Sequence, residues 1–136
     1  MSRRLAALAA VISAAALALP GCGGGGGPQV RTIEIDVKYS TFSIPAIDVR
    51  AGETVRFTLV NRDPIPHELI IGDQAVQDHH ERGTEAHHRG KPGEVSVAPN
   101  ATAETVYTFI SKGTLLFGCH LPGHWAYGMK GTITIV

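Results

Sequence analysis

Gly118-Cys119-His120-Leu121-Pro122-Gly123-His124-Trp125-Ala126-Tyr127-Gly128-Met129 is the stretch on which the reading of this chain turns. It sets a thiol, an imidazole and a thioether at even five-residue steps, Cys-x4-His-x4-Met. Cys22 and Met1 are the only other residues of these two sulfur types among 136. Beyond the N-terminal segment, therefore, the sole Cys and the sole Met share one loop with a His midway between them. Thiolate and thioether suit Cu(I), imidazole suits both copper oxidation states, and a long axial thioether leaves a trigonal site that changes little on redox. A second His completes the set, and His67, in Pro64-Ile65-Pro66-His67-Glu68-Leu69-Ile70, is the candidate.

Outward from the loop the chain reads as short strands. Leu115–Gly118 leads into it and Thr132–Val136 follows it. Upstream, Ile33, Ile35 and Val37 alternate with Glu34, Asp36 and Lys38, and Val55, Phe57 and Leu59 repeat the period of two. Pro45 interrupts between Phe42-Ser43-Ile44 and Ile47-Asp48-Val49, as at an edge that switches sheets. Glu68–Ile71, Val95–Val97 and Thr105–Phe109 add further strands. Only Asp73–Glu81 offers a short helix. The pattern predicts an all-β, two-sheet antiparallel Greek-key sandwich of seven or eight strands, carrying a polar His-rich loop insertion.

These residues resemble the cupredoxins, the single-domain blue-copper proteins of the plastocyanin/azurin superfamily. Rusticyanin-like and auracyanin-like members share the Cys-x4-His-x4-Met loop. The resemblance runs over residues 30–136 and includes Glu53–Asn61 leading to Pro66-His67-Glu68, and the closing Met129-Lys130-Gly131-Thr132-Ile133. It implies His67, Cys119 and His124 as equatorial ligands of one type 1 copper ion and Met129 as the axial ligand. It also implies a one-electron carrier with electrons passing at the edge of His124, beside apolar Leu121, Pro122 and Trp125, where a redox protein partner would dock. Many relatives follow the first His with Asn or Ser, whose side chain ties the two ligand loops together. Glu68 stands there instead, so the resemblance does not supply that tie.

Two other readings compete. Cys119–His124 also resembles the end of multicopper oxidases, but Gly118 stands where their bridge needs His, and the chain has no His-x-His pair. An enzyme is not expected. A copper-binding or copper-delivery protein is the alternative, because four of the seven histidines (His79, His80, His87 and His88) fall in the segment 78–88. Imidazoles at that density bind Cu(II) or Zn(II) as a possible second metal site.

Residues 1–22 read as an export segment: Arg3 and Arg4, an apolar run over Leu5–Leu19, then Leu19-Pro20-Gly21-Cys22, which resembles a bacterial lipobox. Cys22 is then the lipidation site; Ala16-Leu17-Ala18 offers an ordinary cleavage site and a soluble periplasmic product instead. Residues 23–29 form a Gly-rich tether. A solitary Cys119 in an oxidising compartment is better explained as a metal-bound thiolate than as a free thiol. Twelve basic residues meet twelve acidic ones, and loss of Arg3 and Arg4 leaves a formal charge of −2. That balance argues against nucleic acid as a partner. The expected form is a monomer in the bacterial cell envelope, held to the membrane through Cys22.

Overall fold

The computed structural model describes residues 30–83, 88 and 90–136. The export segment 1–22 with Cys22, the tether 23–29 and His87 lie outside the described residues. Nine strands and one helix follow in order: β1 (Arg31–Lys38), β2 (Thr41–Phe42), β3 (Ala46–Val49), β4 (Thr54–Asn61), β5 (His67–Gly72), α1 (Gln74–Glu81), β6 (Glu94–Val97), β7 (Thr102–Thr108), β8 (Gly113–Gly118) and β9 (Lys130–Ile135). One sheet runs β2-β1-β4-β7 and the other β3-β9-β8-β5-β6. The sandwich expected from the alternating pattern is therefore present.

Both sheets are mixed. β1 lies parallel to β4, with Ile33 opposite Phe57, and β3 lies parallel to β9, with Ile47 opposite Ile133. A period of two buries the same residues whichever way the neighbouring strand runs, so alternation alone could not separate these pairs from antiparallel ones. β2 belongs to the first sheet and β3 to the second, so the chain does change sheets across Pro45.

Inward side chains of both sheets form the core. Val55, Phe57 and Leu59 of β4 are buried, as are Ile35 and Val37 of β1, Leu69 of β5, Phe117 of β8 and Ile133 of β9. Phe57 meets Phe109 edge-on at 6.3 Å, and Phe42 tilts against Phe117 at 5.4 Å. Burying one such ring contributes roughly 1.5–3 kcal/mol. All six residues of β5 are buried, which fixes the strand that begins with His67.

Helix α1 starts on Asp73, whose carboxylate accepts from the Val76 N–H at 3.0 Å. It ends at Gly83, whose φ of 68° suits glycine. Its inner face carries Gln77 and His80, one turn apart and buried. The Gln77 amide donates to Ile70 O and Leu116 O, both at 3.3 Å, pinning the helix across β5 and β8. Part of the expected His-rich loop is thus helical, and it sits against the sheet that carries the ligand loop.

Candidate metal centre

Each candidate ligand is held by the framework. Asn61, the last residue of β4, donates to Ile65 O at 2.8 Å and Ala98 O at 2.9 Å. Its own oxygen accepts from the Asp63 N–H at 2.9 Å, which shapes the proline-containing loop into His67. The buried Asp63 carboxylate accepts from Tyr39 N and Ser40 N at 2.7 and 2.8 Å, and from His67 Nε2 at 3.0 Å. Tyr39 and Ser40 both sit at positive φ (55° and 52°), so this carboxylate stabilises an otherwise costly turn while orienting the ring.

Cys119 follows β8, and the loop from it closes on itself. The Cys119 N–H donates to Met129 O at 3.1 Å, the Met129 N–H to His124 O at 2.9 Å and the His124 N–H to Leu121 O at 2.9 Å. Gly123 (φ 85°) supplies the left-handed turn that brings His124 back. Cys119 Sγ lies 3.2 Å from His124 Nδ1, and the rings of His67 and His124 are 5.0 Å apart. The ligand atoms of His67, Cys119 and His124 all fall within 4.8 Å of one another. Met129, at 2% exposed, is buried, and its backbone closes the same loop. His124 is half-buried.

The protonation pattern suits a metal. The His67 Nε2–H donates to Asp63, and the remaining nitrogen, Nδ1, is buried with no hydrogen-bond partner. A buried lone pair without a partner costs on the order of 1–3 kcal/mol unless something binds it. Burial holds the His67 pKa below its ordinary value, against the pull of Asp63 and with the help of His124. Burial likewise pushes the Cys119 thiol up to about 12, although backbone hydrogen bonds involving Leu121 and Glu68 work the other way. A bound cation would displace that proton and take the thiolate.

A second cluster lies behind the first. His80 from α1, His88 and Glu94 from β6 are all buried, with donor atoms within 4.8 Å of one another. His88 Nδ1 is 3.2 Å from Glu94 Oε2, and His88 Nε2 is 3.3 Å from Glu68 Oε2. Of the four loop histidines expected to gather, His80 and His88 meet. His79 is exposed, and its ring meets that of His80 edge-on at 5.6 Å. Sequence reasoning missed Glu94, and it gave Glu68 no part in this cluster. The register that sets Glu68 opposite Ser96 and Ile70 opposite Glu94 brings them together, and no local spacing announces it. His120 was also unassigned; its ring stacks on Trp125 at 4.7 Å, with Nδ1 on Glu81 at 2.9 Å and Nε2 on Gln77 Oε1 at 2.7 Å.

The model of copper binding proteins of the plastocyanin/azurin family matches residues 30–136. The chain belongs to that family. This cupredoxin is 36% identical over 109 residues to the copper-resistant cuproprotein CopI of Rubrivivax gelatinosus, a match covering 77% of this chain and 66% of that protein, so it spans about two thirds of that relative's length. It is 31% identical to the copper-resistant cuproprotein CopI of Pseudomonas aeruginosa, over 77% of this chain and 76% of that one. Among solved structures, the reduced auracyanin of Roseiflexus castenholzii superposes with a TM-score of 0.67 at 23% identity, over 81% of this chain and 99% of that one. Auracyanin B gives 0.66 at 20% identity, over 78% and 88%. At these identities the two structures speak for the fold. The cofactor of this cupredoxin is copper, and the His67, Cys119 and His124 group is a fitting place for it.

Proposed function

We propose that this cupredoxin is a one-electron carrier outside the cytoplasm, with His67, Cys119, His124 and Met129 as the ligands of a type 1 copper. The observation that carries the reading is the convergence of His67 Nδ1, Cys119 Sγ and His124 Nδ1 on one small volume, each oriented by the fold. Copper held there supplies a one-electron couple. The protein's part is preorganisation: Asp63 fixes the His67 ring, and the loop's backbone hydrogen bonds fix Cys119, His124 and Met129, so that little need move between oxidation states. Four protein donors leave no position for a substrate, which supports a carrier over an enzyme.

His124 is half-buried and flanked by Leu121, Pro122 and Trp125, a surface suited to brief docking of a redox protein. Substitutions at Leu121 or Trp125 are expected to slow electron transfer to such a partner more than they change the potential. Export, followed by lipidation of Cys22, would tether the monomer to the membrane, and Cys22→Ala is expected to release it.

A second reading is copper handling. It is favoured by relatives named for copper resistance and by the buried cluster at His80 and His88. The two separate on one experiment. A carrier holds its copper through reduction and reoxidation, gives a reversible voltammetric wave and exchanges electrons rapidly with itself. If the wild-type protein readily surrenders its blue copper to a modest chelator, the delivery reading replaces the carrier.

A further inference from the structure

We infer that His80, His88 and Glu94 form a second, separate binding site for a divalent transition ion of the Zn2+ or Cu2+ class. The ring of His80 carries the first argument. Its Nδ1 lies 2.9 Å from Val76 O, a group that only accepts, so Nδ1 bears the hydrogen and Nε2 of the neutral ring presents a lone pair. That Nε2 is buried and makes no hydrogen bond, with Glu94 Oε1 3.5 Å away. The residue as a whole is 6% exposed. A lone pair aimed at a carboxylate in the interior is unfavourable unless a cation lies between them.

Spacing is the second argument. Donors at about 2.0–2.1 Å from a tetrahedral centre stand about 3.3 Å apart. The separations here are 3.2 Å from His88 Nδ1 to Glu94 Oε2 and 3.5 Å from His80 Nε2 to Glu94 Oε1. Two imidazoles with one carboxylate are a donor set that Zn2+ and Cu2+ both accept. His88 Nε2, on the far side of its ring, faces Glu68 Oε2 at 3.3 Å, the carboxylate support that orients a ligating His.

Access is the third. A cleft of about 360 Å³ reaches the cluster, lined by Glu68, His80, Glu81, His88, His120 and Leu121. The Lys91 ammonium contacts Glu94 Oε1, and its side chain is 63% exposed, so it can withdraw into solvent when an ion takes that oxygen.

This site is independent of the carrier reading, since it uses none of the type 1 ligands. Glu68 nevertheless touches both: one oxygen faces His88 and the other accepts from His120 N, next to Cys119.

The test loads the protein with one equivalent of copper, then titrates it with Zn2+ and, separately, with further Cu2+, by calorimetry and equilibrium dialysis. One additional equivalent of either ion is expected. The second Cu2+ should give an EPR signal distinct from the blue one and coupled to two imidazole nitrogens. His80→Gln and Glu94→Gln should each weaken it at least tenfold while the blue absorption persists, which reports an intact fold; His79→Gln should leave it unchanged. The proposal is overturned if the wild type binds no additional ion, if binding survives both His80→Gln and Glu94→Gln, or if His79→Gln abolishes it. Should those variants fail to fold, the wild-type signal decides, and coupling to fewer than two nitrogens overturns the proposal.

Discussion

Glu68 Oε1 accepts a hydrogen bond from the backbone N–H of His120 at 2.8 Å. The residue after His67 is thereby tied to the residue after Cys119, across the antiparallel pair formed by β5 and β8. A carboxylate makes this tie, and it adds a buried negative charge near the sulfur that opposes ionisation of the Cys119 thiol. The same charge favours the more positive, oxidised copper. Glu68→Gln keeps a hydrogen-bond acceptor and removes the charge, so the blue band should persist and the potential should rise. At an effective dielectric near 20 and a separation of roughly 6–8 Å the change is about 2–3 kcal/mol, or roughly 100 mV for one electron. An unchanged or lowered potential in protein-film voltammetry would refute the argument.

Cys119→Ser is expected to abolish the intense thiolate-to-copper absorption, because a hydroxyl cannot replace the charge-transfer donor. Met129→Gln should retain copper and lower its potential, since an oxygen donor favours Cu(II) more than a thioether does. Visible spectra and voltammetry check both. A Cys119→Ser protein with the wild-type spectrum, or a Met129→Gln protein with a raised potential, removes that residue from the site.

Acid and base both destabilise the metal-free protein, through different groups. His67 is held below its ordinary value of 6.5 and Asp63 below 3.8, so the unfolded chain takes up protons first as pH falls, and stability is lost on acidification. For Asp63 burial works against this, but hydrogen bonds from Ser40, Tyr39 and His67 prevail. The Cys119 thiol is raised from 9.0 to about 12, so its contribution is present below pH 9 and is lost as pH climbs toward 12. Denaturant melts should therefore show a plateau from about pH 7 to 9 with a fall on either side. Copper displaces the thiol proton, so its affinity should rise about tenfold per pH unit across that plateau. Chelator competition measures it, and a pH-independent affinity would show that the sulfur gives up no proton.

The sandwich and the candidate ligand group were legible for different reasons. Alternation in Ile33–Val37 and Val55–Leu59 records which face is buried, and it recurs in β1 and β4. It does not record strand direction, so the parallel pairings of β1 with β4 and β3 with β9 were not visible. Cys119, His124 and Met129 could be read together because one short loop carries them all. The second cluster could not. His80 comes from a helix and Glu94 from a strand, and only the packing of α1 onto β5 and β8 and the β5–β6 register bring their atoms within reach. A dense run of histidines pointed to the segment that supplies His80 and His88; Glu94, just before the expected strand Val95–Val97, carried no such signal.

Gly118 and Trp125 set the last test. A Cβ at Gly118 would fall on the six-membered ring of Trp125, so glycine lets the indole lie flat against the end of β8. On its other contacts the ring stacks with His120 at 4.7 Å, and the Lys130 ammonium sits 4.8 Å from it. Gly118→Ala is expected to push the indole outward and to cost about 1–3 kcal/mol from overpacking. Trp125 is the only Trp in the chain, so its fluorescence reports the displacement directly, as a shift to the red. Removing the ring should relieve the clash: Gly118→Ala in a Trp125→Leu background should cost clearly less than it does alone, a coupling that a double-mutant cycle measures. Additive costs, with unshifted emission from Gly118→Ala, would show that the indole does not rest on Gly118.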